Sequence, residues 1–263
     1  HSPKTKLMSL SDNILPHEKI PLGDFLTTYL FQKLDVHIVQ SSQTEKELQE
    51  VVDDPIYEKR FHPIVTNLPK KINKNTARNK LVLTAKYIIL YFGIIRDYKG
   101  FDILLKAIAK LKNSGLDFHL LAGGECYGND EKYTQLISDV EISDFVTWHN
   151  KYIPDSDVAE YFSAADVVAL PYRSASQSGI TQIAYYYDIP VIVTKVGGLP
   201  EIVDEGQSGF TIEPNNPTEL ANVLETHLKN DTFLRMEDYI KTFKQKFSWE
   251  YFVDGIESVY SRI

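Results

Sequence analysis

Two cations stand three residues apart in a turn that follows an apolar run. Residues 87–93, Y-I-I-L-Y-F-G, have the pattern of a buried strand ending at Gly93, and the next letters, I-I-R-D-Y-K-G, bring Arg96 and Lys99 to the start of a helix. A guanidinium offers a planar fork of donors and an ammonium offers a point charge, so the pair could clamp a diphosphate. Two solvated loop charges are the alternative that the spacing leaves open.

A cluster of hydroxyl and amide side chains stands between two other apolar runs. Residues 169–201 have the pattern of a strand end, a Ser/Gly-rich loop, a helix from Gly179 and a second strand closed by Gly197-Gly198. Unpaired N–H groups at such a helix start stabilise a phosphate, and the polar side chains could hold a sugar hydroxyl. The predicted contact residues are Ser176, Gln177, Ser178, Gly179, Ile180, Thr181 and Gln182.

Two further loops follow predicted strands, and the carboxyl ends of parallel strands meet at one edge of a sheet. The glycines of L-A-G-G-E could let a ligand approach the backbone, although an ordinary tight turn explains them equally well. The backbone of H-N-K-Y-I-P could contact the edge of a nucleobase, with its tyrosine stacked on the ring, or be a loop without function. The candidate residues are Gly123, Gly124, Glu125, Lys151, Tyr152 and Ile153.

Other possible sites have simpler explanations. Asp155-Ser156-Asp157 matches a D-x-D metal pair, but it follows Pro154 at a helix start and precedes Glu160, which favours a capping box. The sequence contains no P-loop, no G-x-S-x-G and no Cys/His spacing typical of a metal site. We therefore expect no bound metal.

The composition limits the classes of function. The chain has 263 residues, 43% of them apolar, which is enough for a full hydrophobic core. Its net charge of −8 disfavours general nucleic-acid binding. Its one cysteine allows no internal disulfide, and its apolar runs are far shorter than the ~20 residues of a membrane span. We expect a soluble cytoplasmic protein, and peripheral contact with the inner face of a membrane stays open.

Apolar strands alternate with amphipathic helices from residue 87 onward, which predicts an α/β fold with a doubly wound parallel sheet. Residues 1–13 lack an initiator Met and any strand pattern, as in the middle of a longer protein. The predicted segments are a partial N-terminal domain (1–68), a basic linker or hinge (69–86), a Rossmann-like domain (87–247) and a returning C-terminal helix (248–263).

Five segments, taken in order, resemble the donor domain of GT-B glycosyltransferases of family 4, the group 1 transferases. The segments are Y-F-G-I-I-R-D-Y-K-G-F-D, L-A-G-G-E, A-A-D-V-V-A-L-P-Y, I-P-V-I-V-T-K-V-G-G-L-P-E-I-V and D-E-G-Q-S-G-F. N-I-L-P-H-E-K is similar to the last part of the family's acceptor-side domain.

The resemblance implies a hexosyltransferase that moves a sugar, with retention, from a UDP- or GDP-type nucleotide sugar to a glycan, polysaccharide or lipid-linked acceptor. It further implies transfer without a bound metal or a cofactor, and the net charge has already argued against a nucleic-acid partner. Lys99 and Arg96 would neutralise the leaving diphosphate, so that the cationic turn replaces a metal ion.

The sequence departs from the family pattern in three places. The paired glutamates of E-x7-E would fall near Ala175 and Ile183, with Gln182 beside the second position. The arginine that usually follows the strand glycine corresponds to Ile94, and Arg96 stands two places on. The position that matches a frequent catalytic histidine is Asp12.

The last departure leaves His17 and Glu18 as catalytic candidates. Together the departures keep a second hypothesis open, a catalytically silent module that binds a nucleotide sugar. A sugar-phosphate epimerase is disfavoured, because no G-x-G-x-x-G follows the strand at residues 87–93.

Overall fold

The computed structural model describes residues 5–15 and 22–263 of the chain. They form two compact units, the first from His1–Pro63 with Gln245–Ile263 and the second from Ile64–Lys244. Within the described ranges, none of the helices combines the length and apolar character that crossing a bilayer requires. The catalytic candidates His17 and Glu18 lie outside the described residues.

The elements of the chain up to residue 111 are β1 (Met8–Ser11), α1 (Gly23–Phe31), β2 (Val36–Val39), α2 (Ser42–Val51), β3 (Tyr57–Lys59), α3 (Lys74–Lys80), β4 (Tyr87–Phe92) and α4 (Phe101–Leu111). Those that follow are β5 (Phe118–Gly123), α5 (Glu131–Asp139), β6 (Val146–His149), α6 (Asp155–Ala164), β7 (Val167–Leu170), α7 (Gly179–Tyr186), β8 (Val191–Thr194), β9 (Gly209–Ile212), α8 (Pro217–Lys229), α9 (Thr232–Phe243) and α10 (Trp249–Tyr260).

The first unit contains a parallel three-stranded sheet in the order β1-β2-β3. Strand side chains alternate between faces, so Val36 and Ile38 pack on Phe252 of α10, whereas Val39 packs on Leu48 of α2. Ser41 caps α2 by accepting a hydrogen bond from the Thr44 N–H. The sheet of this unit is therefore covered by helices on both faces.

Sequence reasoning missed β1 and β3 in the first unit. The expectation that residues 1–13 have no strand pattern was wrong, because Met8 to Ser11 pair with Val36 to Val39. Strand β1 is only four residues long, and β3 is a three-residue edge strand, Y-E-K, with two charges. Runs so short and so polar carry almost no periodicity, and only their pairing with β2 makes them strands.

The second unit contains a parallel six-stranded sheet in the order β6-β5-β4-β7-β8-β9. The chain starts in the middle at β4, proceeds outward through β5 and β6, and returns to β7 on the other side of β4. All four residues of β7 and of β8 are buried, as expected for strands covered on both faces. The doubly wound α/β fold predicted from the alternating pattern is confirmed.

The stretch 69–86, predicted as an exposed linker or hinge, contains helix α3, which packs against α6 and belongs to the second unit. Asn73 caps the helix, and Ala77 is fully buried. The basic residues that suggested a linker have acidic partners far along the chain, because Lys74 and Arg78 both pair with Asp166. A seven-residue helix with one apolar position shows no helical periodicity, so sequence reasoning took it for a solvated segment.

Asp166 connects this helix to the sheet. Its carboxylate is 5% exposed and accepts hydrogen bonds from Lys74 Nζ at 2.5 Å, from Arg78 Nη2 at 2.7 Å and from the Ile88 N–H at 2.6 Å. A buried carboxylate is tolerated only when its charge and lone pairs are satisfied, and these three donors satisfy them.

We expect Asp166→Asn to lower the free energy of unfolding by about 2 kcal/mol, between the values typical of exposed and of buried ion pairs. The amide keeps the shape but leaves two cations without a counter-charge. Urea unfolding followed by circular dichroism measures the effect, with the exposed Asp144→Asn as the matched control. Equal unfolding midpoints for the two variants would contradict this role of Asp166.

Candidate functional site

The connections that follow β4 and β7, two neighbouring strands of the second unit's sheet, diverge. The connection after β4 leads toward β5 on one side, and the connection after β7 leads toward β8 on the other. Where neighbouring connections diverge in this way, a crevice opens beyond the carboxyl ends of the strands. Gly93 follows β4 and Pro171 follows β7, so the cationic turn and the Ser-rich loop both start at this crevice.

Gly93 is the point at which the two predicted parts of the site converge. Its φ is +103°, and a Cβ added to it would lie 3.2 Å from Ile180 Cδ1 and 3.7 Å from Lys99 Nζ. Ile180 belongs to the first turn of α7, so the Lys99 ammonium and the start of α7 lie on the same side of the strand end. The structure therefore brings the cationic turn and the helix start together.

Lys99 carries its charge without a counter-charge. The side chain is half-buried, with its Nζ 5.6 Å from the centroid of the Tyr172 ring, and no carboxylate of the described residues is paired with it. Burial lowers the pKa of Lys99, and the positive charge of Arg96 lowers it further. An ammonium held in this way is destabilised in the free protein and would gain from an anion beside it.

Arg96 supplies a second positive charge at the mouth of the crevice. Its side chain is exposed, and the guanidinium lies 5.4 Å from the centroid of the Tyr127 ring. The positive charge of Arg96 lowers the pKa of Lys99, and the two residues stand three positions apart in the same turn. The arrangement fits a ligand with more than one negative charge.

The cationic turn is held against the end of β7 by two contacts that sequence reasoning missed. Gly100 has a φ of +66°, and a Cβ on it would lie 2.0 Å from the Pro171 carbonyl oxygen. Arg173 donates to both oxygens of Asp102, at 2.9 and 2.8 Å, and its N–H donates to the Tyr98 carbonyl at 2.6 Å. A glycine after Y-K was a sequence signal for a left-handed turn, whereas a pair 71 residues apart leaves no local signal.

The start of α7 is left without a side-chain cap. Ser178 precedes the helix in extended conformation, its hydroxyl accepts no hydrogen bond from the first turn, and its Oγ lies 3.4 Å from the Tyr172 hydroxyl. Gly179 is exposed, and a Cβ on it would meet nothing within 4 Å. The first N–H groups of a helix have no intrahelical acceptor, so this end is suited to an anion.

The Thr181 hydroxyl already makes a hydrogen bond within the protein. Thr181 is fully buried, and its Oγ1 donates to the Ser178 carbonyl at 2.6 Å. The hydroxyl therefore stabilises the first turn of α7 from within, and its predicted contact with a ligand stays a prediction. Side-chain bonds of this kind to a backbone carbonyl three residues earlier are common for threonine.

Gln182 is the most unusual polar residue of α7. It is 1% exposed, and neither its Oε1 nor its Nε2 has a hydrogen-bond partner among the described residues. It lies three residues after Gly179, which places it on the same side of the helix as the open start. An unpartnered buried amide is costly, so a ligand that offers both a donor and an acceptor would relieve a real penalty.

The loop between β7 and α7 packs against the Gly197-Gly198 turn. A Cβ on Gly197 would lie 1.7 Å from the Ala175 carbonyl oxygen, and the Gly198 N–H donates to the Ser176 carbonyl at 2.9 Å. Ser176 and Gln177 are both half-buried in this loop. Their predicted contacts with a ligand stay predictions.

Gly123 and Gly124 are required by packing between strand ends. A Cβ on Gly124 would lie 2.1 Å from the Gly93 carbonyl oxygen, and one on Gly123 would lie 2.7 Å from Tyr161 Cε1. Both glycines are buried, whereas the side chain of Glu125 is exposed. Protein atoms therefore explain the glycines, and the predicted donor contact of these three residues stays a prediction.

The loop after β6 presents one large aromatic surface. Tyr152 is 69% exposed, Lys151 is exposed beside it, and Ile153 is buried, so only its backbone is open to a ligand. The predicted stacking of a nucleobase on Tyr152 stays a prediction.

The D-x-D signal belongs to the start of α6, where Asp155 and Asp157 occupy the first turn. The predicted capping box is wrong, because Pro154 is the N-terminal cap residue and no side chain caps the helix. Within residues 5–15 and 22–263, no group of three or more His, Cys, Asp and Glu side chains is placed to hold a metal ion.

Residues 73–247 match the sequence profile of the family described as glycosyl transferases group 1. The chain belongs to this family. A D-inositol 3-phosphate glycosyltransferase of Corynebacterium jeikeium is 30% identical over 187 residues, which are 67% of this chain and 43% of that protein. A glycosyltransferase of Methanocaldococcus jannaschii is 29% identical over 66% of this chain and 48% of its own length. This group 1 chain thus spans less than half the length of these two relatives.

Solved structures show the same fold at low sequence identity. Sucrose-phosphate synthase from Thermosynechococcus elongatus superposes with a TM-score of 0.78 at 22% identity, over 97% of this chain and 67% of that one. Anabaena HepE in complex with UDP superposes with a TM-score of 0.79 at 18% identity, over 98% of this chain and 72% of that one. The group 1 chain therefore has the GT-B fold that its sequence resembles.

We expect Gly100→Ala to destabilise the protein by about 2 to 4 kcal/mol, because the new Cβ adds an overlap with Pro171 to the strain of a positive φ. Gly115→Ala is the matched control, since Gly115 has a φ of +76° and open space around its Cβ position. It should cost only about 1 kcal/mol in urea unfolding. If both variants lose the same stability, the close approach to Pro171 is not what requires Gly100.

Proposed function

We propose that this chain carries the donor site of a glycosyltransferase. A nucleoside diphosphate sugar of the UDP or GDP type binds in the crevice between β4 and β7. Its sugar is transferred, with retention of configuration, to a hydroxyl of a glycan, polysaccharide or lipid-linked acceptor. The observation that carries the proposal is the unpaired, half-buried Lys99 ammonium, which converges with the uncapped start of α7 at Gly93.

The chemistry follows from where charge develops. When the bond between the anomeric carbon and the diphosphate oxygen breaks, its electron pair stays on the diphosphate, whose negative charge grows. Lys99, Arg96 and the first N–H groups of α7 stabilise that charge in the transition state more than in the bound donor. These groups supply the positive charge that a metal ion provides elsewhere, so the proposal includes neither a metal nor a cofactor.

The relatives support this assignment. The similar HepE structures hold UDP, UDP with glucose, or UDP-glucose, which makes UDP the first ligand to test here. The curated relatives are named as glycosyltransferases, which favours transfer over the alternative of a catalytically silent module. The nature of the acceptor belongs to the proposal as well, because the matched region is less than half of those relatives.

Lys99→Met should weaken UDP binding by about ten- to a hundredfold, as expected for a lost charge-assisted hydrogen bond. The same variant should raise the thermal stability of the free protein, because it removes a half-buried charge that no carboxylate of the described residues pairs with. Isothermal titration and thermal unfolding measure the two effects. Lys110→Met, which removes an exposed lysine from α4, is the control and should change neither.

A Lys99→Met variant that binds UDP as tightly as the wild type would refute the diphosphate clamp. A variant that loses binding together with stability would show that Lys99 supports the fold, and would equally contradict its assigned role. Only opposite signs of the two effects agree with the proposal.

Gln182→Met should remove the preference for UDP over 2′-deoxyuridine diphosphate, because we assign the unpartnered amide to the ribose hydroxyls. It should also stabilise the free protein, since two buried polar atoms without partners are lost. Competition titration with the two nucleotides measures the preference, which should fall about tenfold in the variant. A variant that still prefers UDP over 2′-deoxyuridine diphosphate would contradict the assignment of Gln182 to the ribose hydroxyls.

A further inference from the structure

A second concave site lies in the first unit, at the carboxyl edge of its three-stranded sheet. The cavity has a volume of about 230 Å³ and is bordered by Asp12 after β1, Gln40 after β2 and His62 beyond β3. Trp249 and Phe252, from the first turn of α10, line its other side. Typical small-molecule pockets measure roughly 300–1,000 Å³, so this one has room for about a single ring.

The aromatic wall is fixed in place. Ser248 caps α10 by accepting a hydrogen bond from the Tyr251 N–H at 3.1 Å, which sets the direction of the first turn. Phe252 is 4% exposed and packs on Val36 and Ile38, whereas Trp249 is 47% exposed and meets the Phe252 ring edge to face at 6.0 Å. The indole is therefore held at the mouth of the cavity with nearly half of its surface open.

The polar groups of the cavity are mainly hydrogen-bond acceptors. The Asp12 carboxylate is exposed and can only accept, and Gln40, which is 2% exposed, borders the interior with its amide. His62 Nδ1 lies 2.8 Å from the Pro63 carbonyl and donates to it, because a carbonyl oxygen can only accept; in the neutral tautomer with this proton, Nε2 is an acceptor. Hydroxyl groups are the ligand groups that match such a set.

The charge around the cavity disfavours an anionic ligand. No lysine or arginine is among its lining residues, and Asp12 would repel a phosphate or carboxylate. Lys59, the last residue of β3, is paired with Glu45, and Arg60, the next residue, is paired with Glu58. A small uncharged ligand with an apolar face and several hydroxyls fits these features, and a pyranose ring is such a ligand.

We propose that this cavity binds one uncharged sugar ring of the acceptor, stacked on Trp249 and hydrogen-bonded through its hydroxyls to Asp12. This inference rests on the proposed function for its role in transfer, and it specifies the acceptor as a neutral sugar rather than a sugar phosphate. It assigns Asp12 and Trp249 as determinants of acceptor specificity.

The test uses the intact chain and the methyl glycosides of glucose, galactose, mannose and N-acetylglucosamine, together with the 6-phosphate of each bound sugar. The chain has two tryptophans, so Trp148→Phe leaves Trp249 as the single indole whose fluorescence reports on the cavity. Saturation-transfer NMR on the wild type provides an independent measure at millimolar sugar. Cyclohexanol serves as the apolar ring without sugar hydroxyls.

At least one neutral glycoside should bind and change the Trp249 emission, while its 6-phosphate binds at least about tenfold more weakly. Asp12→Asn and Trp249→Ala should each reduce sugar affinity by about tenfold or more. The matched controls are Asp53→Asn, an exposed carboxylate of the same unit, and Tyr260→Ala, an exposed aromatic at the other end of α10. Neither control should change the affinity.

Three results would overturn the inference: none of the glycosides binds, the phosphorylated sugar binds as well as the neutral one, or cyclohexanol binds as well as the glycosides. Titration of each variant with UDP separates this inference from the proposed function. Loss of sugar binding with normal UDP binding concerns only the cavity, whereas a wild-type chain that does not bind UDP would contradict the donor site.

Discussion

The close approach of the β4–α4 turn to the end of β7 is the constraint on which the candidate site depends. A glycine at position 100 lets the turn lie against the Pro171 carbonyl, and the Arg173–Asp102 pair holds the two segments together. This contact places Lys99 where burial removes part of its water and where the positive charge of Arg96 also lowers its pKa. The fold thus keeps a positive charge at a cost in stability, as is common for groups that act on a ligand.

The second unit's sheet was largely predictable because its sequence signals are local. Each strand of V-V-A-L or V-I-V-T type is apolar throughout, and each following helix has a clear periodicity, so order and type follow from the letters. The pairing of β4 with β7 was not readable from any single segment, although the rule for doubly wound sheets implies a crevice at such a point. Helix α3 shows the opposite case, since Lys74 and Arg78 become part of the fold only through Asp166, about 90 residues later.

Some residues of the candidate site could likewise be predicted from local sequence signals, and others could not. Lys99, Gly93 and Gly179 were predicted from residue type and from their positions after strands. In the structure, Gly93 lies next to both the Lys99 ammonium and the side chain of Ile180 in the first turn of α7. The Thr181 hydroxyl already bonds a backbone carbonyl, and packing explains the glycines of L-A-G-G-E; both facts depend on which atoms lie nearby and not on residue type. Arg173 was missed for the same reason. Residue type indicates what a side chain can do, but only the packing shows whether that capacity is already used.

The pKa of the Lys99 ammonium, with and without UDP, tests the central claim most directly. NMR of the chain with labelled lysine, assigned by comparison with Lys99→Met, follows the titration in both states. In the free protein the pKa should lie below the ordinary lysine value of 10.5, and it should rise when the diphosphate binds beside the ammonium. A Lys99 pKa that UDP leaves unchanged at saturation would contradict the account.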